Sequence, residues 1–133
     1  IAALIKGPTV EYLGEVSEVE KQRLLAGAKG FLALESDSDF GMTTVEPMMC
    51  GTPAIAFRNG GYLETVVDPS TSSGQANGVF FNELTPEGLW RAIQRFNKLK
   101  WDRKVITQSA EKFSSERFKK EMLELVAKYA GNV

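Results

Sequence analysis

The chain has 133 residues, 43% apolar and 25% charged, an ordinary balance for one globular domain with a core of its own. Its net charge of −1, without a basic stripe or polybasic tail, argues against nucleic acid or an anionic membrane as partner. With no His and a single Cys, an internal disulfide is excluded, and any chemistry must run on carboxylates, hydroxyls, backbone amides, Arg and Lys.

In chain order, Thr9 to Val16 (TVEYLGEV) alternates and is rich in β-formers, which predicts a strand. Ser17 and Glu20 have capping-box spacing and open a helix through about Lys29, on the apolar positions Val19, Leu24, Leu25 and Ala28, with Gly30 ending it. Phe31 to Leu34 is a continuous apolar run of strand length, as expected of a parallel strand buried on both faces. A second helix is expected from about Thr44 to Cys50, with Gly51 as C-cap and Pro53 beyond. Ala54–Phe57 reads as a strand and Tyr62–Val67 as a short helix.

Asp68 to Asn77 (DPSTSSGQAN) reads as a flexible surface loop and Val79–Phe81 as a fourth strand. Thr85-Pro86-Glu87 starts a helix, Thr at N-cap and Pro at N1, through about Leu99. Further helices are expected over Arg103–Phe113 and Ser115–Tyr129. The latter carries Phe118, Met122, Leu125, Val126 and Tyr129 along one face, either as core or as a docking surface. No internal repeat is present. The basic clusters near Lys98–Lys104 and Arg117–Lys120 read as solvated helix faces.

Strands alternating with helices through short links predict an α/β domain: a Rossmann-like, doubly wound parallel sheet with helices on both faces. In such sheets ligands sit beyond the strands' carboxyl ends. Loops 35–43 and 58–61 both follow predicted strands, so both belong on that edge. They frame two helix starts, where backbone amides and the macrodipole favour anions.

Glu46 stands one turn into the first of those helices, where its carboxylate could accept paired hydrogen bonds from vicinal hydroxyls. Thr43-x-x-Glu46 also has capping-box spacing, and spacing alone does not choose between the two. Phe40-Gly41-Met42 either offers consecutive amides to a ligand or is a tight turn with Phe40 packed inward. Gly60 and Gly61 are a ligand-facing pair or simply a turn, and Glu64 is a ligand group or an ordinary first-turn acid. Glu35, Asp37 and Asp39 form an acidic loop whose spacing fits no calcium loop. Cys50, beside Met48 and Met49, reads as a structural thiol with no His to activate it, and a lone Cys suits a reducing, cytoplasmic setting.

Residues 9–130 resemble the C-terminal, donor-binding half of the retaining glycosyltransferases of family 4, which have the two-domain GT-B fold. The words carrying the resemblance are Val10-Glu11-Tyr12-Leu13-Gly14-Glu15-Val16-Ser17, Phe40-Gly41, Val45-Glu46-Pro47-Met48, Gly51-Thr52-Pro53-Ala54-Ile55-Ala56, Gly60-Gly61-x-x-Glu64-Thr65-Val66 and Phe113-Ser114-Ser115-Glu116-Arg117-Phe118. The flavour is that of mannosyltransferase-like members.

The resemblance implies that Glu46, matching the second Glu of a Glu-x7-Glu signature, binds the nucleotide ribose. It implies that the backbone of Phe40, Gly41 and Met42 contacts donor-sugar hydroxyls. Thr43 and Thr44 would start the helix facing the diphosphate, with Gly60 and Gly61 also on the donor side. It implies a nucleoside diphosphate sugar as substrate, no metal cofactor, and an N-terminal acceptor-binding domain as partner, in cis or in trans. Two departures stand out. Ser38 occupies the position of the first signature Glu, leaving its role to Asp37, Asp39 or Glu35, or weakening it. The family's Arg/Lys pair for the diphosphate belongs to an earlier strand not found here, and Lys6 is not in that context.

The chain starts at Ile1 rather than Met and is expected to be one domain, residues 1–133, of a larger transferase that is inactive alone. Rival readings are a separate subunit of a split transferase and a degenerate interaction module. The missing half leaves peripheral membrane association open, and the last helix leaves self-association open.

Overall fold

The computed structural model describes residues 7–71 and 74–131. Three strands, β1 (Phe31–Ala33), β2 (Ala54–Phe57) and β3 (Gly78–Phe81), pair in parallel in the order β1-β2-β3. Phe31 lies opposite Ala54, and Ala54 opposite Gly78. The helices are α1 (Glu18–Gly27), α2 (Met42–Met49), α3 (Tyr62–Thr65), α4 (Pro86–Lys98), α5 (Arg103–Glu111) and α6 (Ser115–Ala130). The expected parallel α/β architecture is therefore present.

The period of two along the strands divides the core between the faces. Ala54, Ala56 and Phe80 pack with Val45 and Met48 of α2, Tyr62 of α3, and Ile106 and Ala110 of α5. Ile55, Val79 and Phe81 pack with Ala92 and Phe96 of α4. Met48 and Ile106 are wholly enclosed, and each such side chain contributes about 1.5–3 kcal/mol.

Two strand expectations fail. Thr9–Val16 forms no strand: its alternation meets no partner ladder and no covered face, and Val10, Tyr12 and Leu13 lie exposed. Strand β1 is not buried on both faces. Helix α4 packs chiefly on β3 and β2, and Leu32 of β1 is left 45% exposed.

The caps follow the sequence closely. Ser17 Oγ accepts from the Glu20 amide at 3.2 Å, and Thr85 Oγ1 accepts from Gly88 at 3.1 Å with Pro86 in the first turn of α4. Helix α2 begins two residues before its expected start, on Gly41 (φ +79°), and ends in a Schellman turn: Gly51 N–H donates to Met48 O and Thr52 N–H to Pro47 O. Pro47 then lies past the first turn and removes one intrahelical bond. Helix α1 stops at Gly27, before the expected Lys29. It buries none of its residues, and Val19, expected on its apolar face, is 78% exposed.

Candidate functional site

Loops 35–43 and 58–61 leave the carboxyl ends of β1 and β2 and pack backbone on backbone. The Gly61 amide donates to Ser38 O at 2.7 Å, and the Asn59 side-chain amide donates to Ser36 O. A Cβ on Gly60 would meet Ser38 O at 2.3 Å, and one on Gly61 would meet the Phe40 carbonyl carbon at 2.2 Å. The glycine pair is thus required by the neighbouring loop, a reason independent of any ligand. Ser38, at the signature position, contributes its carbonyl to this seam.

Tyr62, the first residue of α3, is buried beneath the seam. Its hydroxyl donates to Glu35 Oε2 at 3.2 Å, which leaves the Thr43 hydroxyl to donate to Tyr62, also at 3.2 Å. Thr44 is fully buried; its hydroxyl donates to Gly41 O at 2.7 Å, and Thr65 supplies the proton of their 2.8 Å contact. The side chain of Thr44 is therefore spent inside the fold, and of the threonine pair only Thr43 reaches the surface. The amides of Met42 and Thr43, as the first helical positions of α2, have no carbonyl a turn back to bond.

The Thr43-x-x-Glu46 capping box does not form. The N-cap is Gly41, so Thr43 is already inside the helix and Glu46 has no free cap amide to reach. Glu46 instead lies exposed on the side of α2 facing α1, 3.5 Å from Lys21 Nζ. Lys21 is shared with Glu18 at 2.9 Å, and the two carboxylates, Glu18 foremost, raise its pKa above the usual lysine value. Glu46 lines a groove of about 400 Å³ with Lys21, Gln22, Leu25 and Met49. An ion pair this open is worth little and gives way readily to a ligand.

Phe40 and Met42 belong to a different groove, of about 570 Å³, walled by Lys112, Phe113 and Phe118. Phe40 is not packed inward: it is exposed and stands edge-on to Phe113, ring centroids 5.5 Å apart. The first groove runs along the later half of α2, from Glu46 to Cys50, and the second lies at the helix start. Glu64 is an exposed first-turn acid of α3. Among the described residues, no three acidic or Cys side chains gather closely enough to hold a metal ion.

The Asp68–Asn77 stretch is anchored at both ends rather than loose throughout. Asp68 is 1% exposed and accepts from the Phe80 amide, from Ser70 and from Arg95, each at 2.6 Å. Burial pushes its carboxyl upward, but those hydrogen bonds, aided by the Arg95 charge, hold it below the usual carboxylate range. Asn77 accepts from Val67 N–H and donates to Thr65 O and Ser109 Oγ, tying α3 to α5. Sequence reasoning does not single out Tyr62, Lys21 or Asp68. Tyr62 follows the glycine pair directly, the one local signal that could have marked it.

Residues 1–113 match the family described as glycosyl transferases group 1. Among curated proteins, a glycogen synthase of Mycoplasma mobile is 26% identical over 89% of this chain and 26% of its own length. A glycogen synthase of Nitrosospira multiformis is 35% identical over 67% of the chain and 20% of its own. The alpha-1,3/1,6-mannosyltransferase ALG2 of Dictyostelium discoideum is 44% identical over 47% of the chain and 15% of its own. Among solved structures, the catalytic domain of starch synthase IV from Arabidopsis thaliana, bound to ADP and acarbose, superposes with a TM-score of 0.58 at 27% identity. That match covers 76% of this chain and 21% of that one. The chain thus spans about a quarter or less of these relatives. Among the described residues no helix is long and apolar enough to cross a membrane.

Proposed function

The chain belongs to the glycosyl transferases group 1 family, and we propose that it is the nucleotide-sugar-binding part of a retaining, family 4 transferase of GT-B fold. The whole protein would move a hexose, mannose in the mannosyltransferase-like reading, from a nucleoside diphosphate sugar to a hydroxyl acceptor, without a metal. The observation that supports this most is the carboxyl-edge seam, which presents the open start of α2 beside one groove, with Glu46 one turn further on in a second. Helix-start amides there suit a diphosphate, and an uncapped, weakly paired carboxylate suits a ribose diol. One matched structure holds ADP, a nucleoside diphosphate. We assign this chain the binding step only. We assign no nucleophile, and the acceptor side would come from a second domain, in cis or as a separate subunit.

Calorimetry on the chain with UDP, GDP, ADP and their sugars tests the reading. One base should bind, and Glu46→Ala should weaken it at least about tenfold, since hydrogen bonds to a charged group contribute roughly 1.5–3 kcal/mol. Binding that ignores Glu46→Ala sinks the ribose assignment. If no nucleoside diphosphate binds at all, the non-catalytic module reading, which the Ser38 departure favours, replaces it.

A further inference from the structure

At the start of α2, Thr43, Tyr62 and Glu35 are hydrogen-bonded in series. The middle member is fixed by packing. Tyr62 is 1% exposed, and its ring lies against Gly41, the N-cap of α2, where an added Cβ would stand 2.9 Å from Cδ1. Its hydroxyl is 3.2 Å from Glu35 Oε2 and 3.2 Å from Thr43 Oγ1, and both of those residues are exposed. Of the acids in loop 35–43, Glu35 is the one joined by hydrogen bonds to α2.

The series has a direction. A carboxylate only accepts, so the single phenol proton goes to Glu35, and Thr43 must then donate its own to Tyr62. Every proton points toward Glu35. Thr43 Oγ1 and the Glu35 carboxylate therefore offer a ligand lone pairs only. Such groups bond hydroxyl donors. They have nothing to give a diphosphate, whose oxygens are themselves acceptors, and the Glu35 charge repels it. The open amides of Met42 and Thr43 have the opposite character and bond anions.

We propose that Glu35 and Thr43 bond hydroxyls of the donor's sugar, and that Tyr62 is a positioning residue which sets the direction of their protons. The inference rests on the donor-site reading above. It divides the start of α2 between a diphosphate on the amides and a sugar on the side chains. The sugar that suits this arrangement is a neutral hexose with free hydroxyls, since a carboxylate or phosphate on the ring would meet the like charge of Glu35.

Calorimetry with UDP, GDP and ADP, each beside UDP-glucose, GDP-mannose or ADP-glucose, tests this through the ratio of the two dissociation constants. Glu35→Ala should weaken the sugar nucleotide about tenfold, and Thr43→Val about fivefold, in the range of bonds to charged and neutral groups. Both variants change exposed positions, and both should leave the bare diphosphate within about twofold. Tyr62→Phe keeps the buried ring and frees the Thr43 proton to turn outward. The sugar nucleotide should then weaken about fivefold while the diphosphate binds equally well or more tightly. A series that merely braced the helix start would weaken both ligands alike in Tyr62→Phe, and that result overturns the proposal. A ratio unmoved by Glu35→Ala and Thr43→Val overturns it too. If Glu46→Ala still weakens both ligands in that case, the donor site stands and its sugar contacts lie elsewhere. Binding of no nucleoside diphosphate or sugar nucleotide at all overturns the donor-site reading and this inference with it.

Discussion

The carboxyl edge of the sheet and the periphery formed by α1 and α6 are built on opposite terms. At the edge, the 35–43 and 58–61 loops touch backbone to backbone, and the hydroxyls of Tyr62, Thr44 and Thr65 are each committed to a partner. Beneath it, Asp68 and Asn77 satisfy amides from several elements. Helices α1 and α6 have sound caps and exposed ion pairs but bury nothing. Local signals thus suffice to make a helix, whereas a site must be held by contacts between segments distant in sequence. An edge proposed to present fixed amides to a nucleoside diphosphate gains from that rigidity.

The contrast breaks most severely at Gly61. An added methyl there runs into the Phe40 backbone, which cannot rotate away as a side chain could. Gly61→Ala should cost about 3 kcal/mol or more in urea unfolding and should also misplace the start of α2. A loss under about 1 kcal/mol would show that the seam is looser than its geometry.

Next comes Asp68→Asn, which keeps the shape but loses the charge that Arg95 and the Phe80 amide meet. The expected cost at pH 7 is about 2–3 kcal/mol. The folded-state pKa lies below the unfolded value of about 3.9, so the stabilisation is complete above that value and vanishes as pH falls through the folded one. Thermal melts from about pH 6 to about pH 3 should therefore fall more steeply for the natural chain than for the variant. Parallel slopes would sink the assignment.

Much of the fold was legible because it is written locally. Ser17, Thr85 and Pro86 announce helix starts, and Ala54–Phe57 is an unbroken apolar run between turn residues. The failures lie where the answer depends on a neighbour. Thr9–Val16 has the alternation of a strand, but a strand needs a ladder to join. Leu32 belongs to a run that looks buried, yet whether a helix covers it is decided by where α4 crosses. In the site, loops 35–43 and 58–61 could be assigned to one edge from strand order alone. Only the contacts of Gly60 with Ser38 and of Gly61 with Phe40 explain the glycine pair, and only the Gly41 cap removes Glu46 from a capping role. Glu46 and Phe40, close in the motif, face different grooves because the first turn of α2 lies between them and turns them apart.

The smallest expected effect sharpens the contrast at the join between the two regions. Arg103, in the first turn of α5, donates to Ala26 O at 2.6 Å and to Cys50 O at 2.8 Å, so one guanidinium caps the carboxyl ends of both α1 and α2. Both ends carry partial negative charge, which a cation there offsets. Arg103→Met should keep the aliphatic stem against Gly51 and remove only the two bonds, costing about 1 kcal/mol globally. The local consequence should be unequal. Helix α2 is held by Val45 and Met48 in the core, whereas α1 has no buried residue, and without Arg103 its end is tied to the domain by the Thr52 hydroxyl donating to Leu25 O. Hydrogen exchange should then quicken across Leu24–Gly27 while the amides of Met48 and Ile55 stay protected. Equal quickening in both helices would mean that α1 and α2 open as one unit, and that the boundary between knit edge and loose periphery lies outside α1.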